Sequence, residues 1–409
     1  MTAAALLALL QAGPDPAIAP LLQAGRAALE AGRPAEALAP FGEAVRRRPN
    51  APDAHFYLGG ALHRLGRHAE AVAELARADE LGPGNEPVEW ALGLAAAARG
   101  DYALAAGAFS KVVAKSPGRA EALFNLGVVQ RRRGASAEGT AALLRAWAID
   151  PAFPGLAAVL AEGLLDDGEL ERAEEVAARG VARAPGDGTL LFLLGRAKAG
   201  RGDVAGAIEA LDRAVAAAKD PFPVLEERSL ARARAGDLAG AEADCRAALV
   251  REATSAGMLY HLGVLLQRQG RREEARAAFE RHRAEAPLLA DLKTNLDRAA
   301  RNPLDGQAHS NVAFLYLQLD RIERAAEAIR RAIEAQPALG QDRTVRGILL
   351  LAAGKAAEGR EEFEAARAER PDFPGVHLGL QRCCERLGRA EEAAGHRARF
   401  EALTASKRR

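Results

Sequence analysis

The chain has 409 residues, 49% of them apolar but only 4% aromatic, so its apolar content is mostly Ala, Leu and Val. Ala and Leu favour helices, which argues against a sandwich, barrel or parallel sheet, and a half-apolar chain is not disordered. Lys and Arg number 56 against 55 Asp and Glu, giving net +1, so no global field draws the protein to nucleic acid or an anionic membrane.

The chain opens on an apolar stretch, Ala3–Gln11, with no Lys or Arg before Arg26. A signal peptide needs a basic leader, so this segment reads as a short helix ending before Gly13-Pro14, within an N-terminal helical cap over 1–17. No run of apolar residues is long enough to span a membrane. Without an address segment the cytoplasm is the expected location, export through Ala3–Gln11 being the alternative. Cys245, Cys383 and Cys384 are too few for a disulfide scaffold.

From residue 18 the sequence repeats. Pro49, Pro83, Pro117, Pro151 and Pro185 are spaced by 34 residues. Gly32, Gly66, Gly100, Gly134, Gly168, Gly202, Gly236 and Gly270 keep the same step, as do small residues from Ala37 to Ala275. Eight units start at 18, 52, 86, 120, 154, 188, 222 and 256, and three more at 306, 340 and 374. Within a unit, apolar residues at positions 4, 7, 8 and 11 have helical spacing. Position 8 is small (Gly25, Gly59, Gly93, Gly127, Ala161, Gly195), which permits close helix approach. Position 15 is Gly in ten of the eleven units, as a left-handed helix stop requires. Pro at position 32 closes the second helix.

This unit resembles the tetratricopeptide repeat, W-x2-L-G-x2-Y, then A-x3-F, then P. Residues 52–85 carry His55, Leu58-Gly59, Leu62, Gly66, Ala71, Leu75, Ala78 and Pro83. Residues 256–289 carry Leu259, Leu262-Gly263, Leu266, Gly270, Ala275, Phe279 and Pro287. The resemblance covers nearly the whole chain and implies an all-α fold, a right-handed α-solenoid (superhelix) of about eleven helix-turn-helix repeats. It also implies that first helices line a concave groove.

Two places depart from the pattern. The terminal Pro is missing at 219 and 253 (Lys219, Ala253), and the unit 222–255 has Arg228-Ser229 in place of Leu-Gly, so a bend is expected there. Sixteen extra residues, 290–305, follow the eight repeats of 18–289. Leu288, Leu289, Leu292, Leu296 and Ala299 form one helical stripe ended by Asn302-Pro303, so this segment reads as a spacer helix, the second helix of a decayed repeat. Three repeats over 306–405 and a basic tail, 406–409, complete the chain.

No phosphate loop, dinucleotide fingerprint, zincin or nucleophile-elbow motif occurs, and no Cys pair has zinc spacing. Cys245 and Cys384 fall in packing positions. His63 and His68 straddle Gly66 and make a poor metal pair. The expectation is a non-catalytic protein with no cofactor and no metal. Helical repeats can read RNA, but Arg46–Arg48 and Arg131–Arg133 are local runs balanced by acids, so nucleic acid is not an expected ligand, and neither is membrane insertion.

What remains is the groove. The resemblance places positions 2, 5, 9, 12 and 13 on it. Position 5 reads Leu22, Phe56, Trp90, Phe124, Ala158, Phe192, Glu226 and Tyr260, and position 9 adds Leu94, Val128 and Phe314. Aromatics rimmed by Arg are usual interface anchors. Position 13 supplies Arg64, Arg132, Arg234, Arg268 and Arg386, a ladder for acidic groups, although cations in a last helical turn also suit the helix dipole. Arg131 and Arg132 are expected to face Phe124. The residue sets of chaperone-binding and glycosyltransferase-linked members are absent: only Asn125 and Asn311 fill the latter's Asn ladder. The expected function is an adaptor that binds a peptide or helix of a partner. The alternatives are a self-assembling scaffold joined through its terminal repeats, hence a homo-oligomer, and a regulatory subunit of a separately encoded enzyme.

Overall fold

The computed structural model describes residues 16–251, 255–302 and 305–405. Ala3–Gln11 and the tail 406–409 lie outside the described residues. Those described form α-helices and one short 3-10 turn, with no strand. They divide into two compact units, 1–235 and 236–409.

In the first unit helices alternate as first and second members of a repeat. α1 (Ala19–Glu30) pairs with α2 (Pro34–Arg47), α3 (Pro52–Arg64) with α4 (His68–Leu81), and α5 (Glu86–Arg99) with α6 (Tyr102–Lys115). α7 (Ala120–Arg132) pairs with α8 (Ser136–Ile149), α9 (Leu156–Asp166) with α10 (Leu170–Arg183), and α11 (Gly188–Arg201) with α12 (Val204–Ala217). α13 (Phe222–Ala235) is the last helix of this unit.

The helix boundaries follow from local chemistry. Pro34, Pro52 and Pro87 occupy opening positions, where a missing N–H costs nothing. The Asp101 carboxylate accepts from the Leu104 N–H at 3.1 Å, capping α6. Gly100 stops α5 at φ 84°. The small residue at position 8 lets each first helix lie on a large side chain of its own second helix. A Cβ on Gly59 would stand 2.6 Å from Leu75 Cγ, and one on Gly195 2.6 Å from Leu211 Cγ. Phe41, Leu75, Phe109 and Leu143 are correspondingly buried. Successive first helices touch (α1 with α3, α3 with α5, α9 with α11), while second helices pack chiefly against first helices. First helices therefore form the inner layer of this unit.

The second unit contains α14 (Leu238–Arg251), α15 (Ala256–Arg268), α16 (Arg272–Arg301), α17 (Gly306–Gln318) and α18 (Ile322–Ala335). After the 3-10 turn Pro337–Gln341 come α19 (Arg343–Ala352), α20 (Ala356–Glu369), α21 (Pro374–Arg386) and α22 (Ala390–Ala405). One expectation is corrected here. Pro287 does not end its helix but sits inside α16, 30 residues long, so 290–305 is no separate spacer. The boundary between units falls at 235/236, inside the degenerate repeat 222–255, and the insertion stays within the second unit. The physical reason is that the insertion is apolar: Leu289 and Leu292 are buried in one core with Val312 and Ile329, which binds it to the repeats that follow.

In unit 306 position 15 is Asp320, at φ 57° the one non-glycine with positive φ among the described residues. The last three repeats curl tightly. Arg382 on α21 reaches across α19 and donates to the Leu317 and Gln318 carbonyls at the end of α17, at 3.3 and 3.0 Å.

Candidate functional site

The inner layer of the first unit carries most of the residues expected to meet a partner, and burial divides them. Phe56 is 0% exposed, with its ring edge-on to Tyr57 at 5.3 Å. Trp90 is 5% exposed: one side meets Phe109 edge-on at 5.4 Å, and the Arg119 guanidinium lies 3.9 Å over the ring. Arg119 is itself held by Glu86 at 3.0 Å and Glu121 at 2.9 Å. The expectation that these two aromatics face the groove is thus corrected. At these two repeats position 5 is core: Trp90 is enclosed by its own second helix and by the turn before the next repeat.

Farther along, the inner face opens. Leu94, Phe124, Val128 and Phe192 are half-buried, and Leu94, Phe124 and Phe192 pack on the core. Phe124 lies against Phe153 at 5.1 Å, and Arg196 sits 5.7 Å from the Phe192 centroid. Phe153 escaped the sequence reading because it stands in the turn before α9, outside the helical positions of the repeat; only its closeness to Pro151 and Pro154 marked it as ordered. Beyond Phe192 the position-5 stripe turns acidic. Burial, and then the neighbouring Glu227, push the Glu226 carboxyl above its ordinary value.

The arginines also separate. Arg131 is engaged within the protein: its guanidinium meets Asp166 at 2.5 Å and Thr140 at 3.2 Å, tying α7 to α8 and α9. Arg64 donates to the Leu29 carbonyl at 3.2 Å and Arg234 to the Ala199 carbonyl at 3.4 Å. Each position-13 guanidinium here satisfies the open end of the preceding first helix, where orphan carbonyls collect negative partial charge. Arg132 differs: it is exposed, with neither ion pair nor hydrogen bond among the described residues. Phe124, Val128 and Arg132 follow one another at four-residue steps along α7, two apolar side chains and then a cation on one helix stripe.

In the second unit Tyr260 is 54% exposed, with its ring 5.5 Å from Phe279 and 5.6 Å from His282. Arg268, on the same helix, is exposed. Phe314 is half-buried between Phe373 at 6.5 Å and Phe400 at 6.3 Å, so it fills the curl of the last repeats.

Elsewhere, His63 and His68 come within 5.1 Å, and burial, then the second ring, hold His63 below its ordinary value. Among the described residues no cluster of His, Cys, Asp and Glu could hold a metal ion, and no helix is long and apolar enough to cross a membrane.

Comparison with known proteins agrees with this architecture. Tetratricopeptide repeat models match residues 22–86, 91–157 and 159–221, then 258–287, 306–339 and 350–396. A relative is Cellulose synthase operon protein C of Xanthomonas axonopodis pv. citri (strain 306), 32% identical over 153 residues. The match takes in 37% of this chain and spans only 7% of that protein. Among solved structures, MamA from Desulfovibrio magneticus RS-1 is 23% identical at TM-score 0.39, covering 42% of this chain and 97% of its own. YrrB, described as a tetratricopeptide repeat protein with an unusual peptide-binding site, is 19% identical at TM-score 0.42, covering 45% and 95%. The family models match well over half of the sequence, and the chain belongs to the tetratricopeptide repeat family, whose repeats serve protein–protein interaction.

Proposed function

We propose that the protein is a non-catalytic adaptor whose first unit binds a peptide or helix of a partner along its inner face. The observation that carries this reading is the α7 stripe: half-buried Phe124 and Val128 followed by Arg132, an exposed cation with no partner. Leu94 on the preceding first helix, α5, and Phe192 farther along, on α11, are further half-buried apolar side chains. Apolar anchors beside an unsatisfied guanidinium suit a ligand with apolar side chains and a carboxylate. Tyr260 and Arg268, both exposed on α15, offer a second, smaller patch.

The test is affinity capture from the native lysate with the full chain and with Phe124→Ser/Val128→Ser/Arg132→Glu. Partners held by the wild type and lost by the triple variant, with the helical circular dichroism spectrum intact, are the expected result. Equal capture by both would overturn the reading.

A second reading is favoured by the named relative, which belongs to a cellulose synthase operon: a subunit working beside a separately encoded enzyme. Capture of an enzyme as the main partner would select it.

A further inference from the structure

The prolines of the last repeats step by 34 residues through Pro303, Pro337 and Pro371. Residues 288–302 therefore stand in the register of a second helix, yet only sixteen residues separate Pro287 from Pro303 where a full repeat has 34. What is short is one first helix and its turn.

Elsewhere a second helix lies between its own first helix and the next one, as α4 lies between α3 and α5. α16 does the work of two second helices in line, and each half has a single first-helix neighbour. The opening half packs on α15, where a Cβ on Gly263 would stand 2.6 Å from Phe279 Cε1. The closing half packs on α17, where the Asn311 amide donates to Asn295 Oδ1 at 3.2 Å and Leu292 shares a core with Val312. Among the described residues no first helix accompanies the closing half on its other side.

A groove of about 460 Å³ lies there, lined by Ala256, Leu289, Leu292, Lys293, Leu296 and Asp297. Its floor is leucine, and Leu296 is 37% exposed. Its rim charges are unspent. Along α16, Arg276 pairs with Glu280, Arg281 with Glu285 and Arg298 with Asp305. Lys293 and Asp297 pair with nothing among the described residues.

We propose that this groove accepts an amphipathic helix of a partner protein, about as long as the 13-residue first helices of this chain, which completes the unfinished repeat. First and second helices of a hairpin run antiparallel, so the incoming helix meets Asp297 before Lys293. Its recognition pattern is an apolar stripe flanked by a basic residue and, four positions later, an acidic one. The site is separate from the α7 stripe of the first unit and does not depend on it.

The experiment uses the full chain and two synthetic amphipathic helical peptides of one composition. One carries Arg four residues before Glu beside a leucine stripe; the other has the two exchanged. Fluorescence anisotropy is expected to show the Arg-first peptide binding about ten-fold more tightly, since both rim pairs turn from attraction to repulsion on exchange. Lys293→Glu/Asp297→Lys should invert the preference, and Leu296→Asp should abolish binding of both peptides. All three side chains are exposed, so these variants keep the fold, checked by their circular dichroism. Equal affinity for both peptides, no binding of either, or binding that survives Leu296→Asp would each overturn the proposal. Concentration-dependent dimerisation by light scattering that Leu296→Asp abolishes would also overturn it, assigning the groove to a second copy of the chain.

Discussion

Gly93 of α5 lies directly on the ring of Phe109 in α6: a Cβ built on Gly93 would stand 2.7 Å from Phe109 Cε1. Phe109 is 1% exposed and also meets Trp90 edge-on at 5.4 Å, so the ring has little room to move. Gly93→Ala should therefore destabilise the protein by about 1–3 kcal/mol through overpacking. Adding Phe109→Leu should recover part of the loss, read as a double-mutant cycle of urea midpoints; strictly additive effects would show that the two residues do not share the space.

Phe56 and Phe124 occupy the same repeat position and differ in burial, so their truncations should separate stability from binding. Phe56→Ala opens a cavity in a 0% exposed site and should cost about 3–5 kcal/mol. Phe124→Ala removes a half-buried ring and should cost about 1 kcal/mol. Thermal melts rank the two; a Phe124 variant as damaged as the Phe56 variant would place both in the core.

His396 sets a pH dependence. The His377 Nε2 meets the Pro371 carbonyl at 2.8 Å, which can only accept, so His377 Nδ1 is an acceptor in the neutral ring. It takes the Nδ1–H of His396 at 3.4 Å. Burial holds His396 below its ordinary value, against Glu364 and with His377, Arg367 and Arg360. A histidine depressed in the folded state contributes its full stability above the unfolded value of about 6.5, and loses it as pH falls through and below that value. The melting temperature should drop between pH 7 and 5, and less steeply in His396→Gln. Identical slopes would remove the pair from the account.

The three cysteines should be inert. Burial, then Cys384, push the Cys383 thiol to about 12; burial and Glu392 raise Cys384; and the Cys245 Sγ donates to the Met258 carbonyl at 3.1 Å. Because the thiolate is the nucleophile, Ellman's reagent should release nothing from the native protein at pH 8 and three equivalents after denaturation, one per cysteine. Rapid native labelling of any one would mean that the second unit opens locally.

Helix existence and pairing were legible in the sequence because they are local and repeated. Proline openings, left-handed glycine stops and the small residue at position 8 act within one unit of 34 residues, and each recurs often enough to be read without a partner in view. Residues 219–255 and 287–305 lack that repetition, and there the boundaries moved. Pro287 continues a helix because the leucines beyond it find a core with α17. Which position-5 aromatics stay open depends on neighbours a full repeat away: Arg119 covers Trp90, while Phe153 leaves Phe124 half-exposed. The period alone determined the fold class and the layer in which each helix lies. The tertiary structure decided which inner side chains are core, which arginines close helix ends and where a helix is wanting, because burial and charge pairing depend on contacts between repeats that no single repeat encodes.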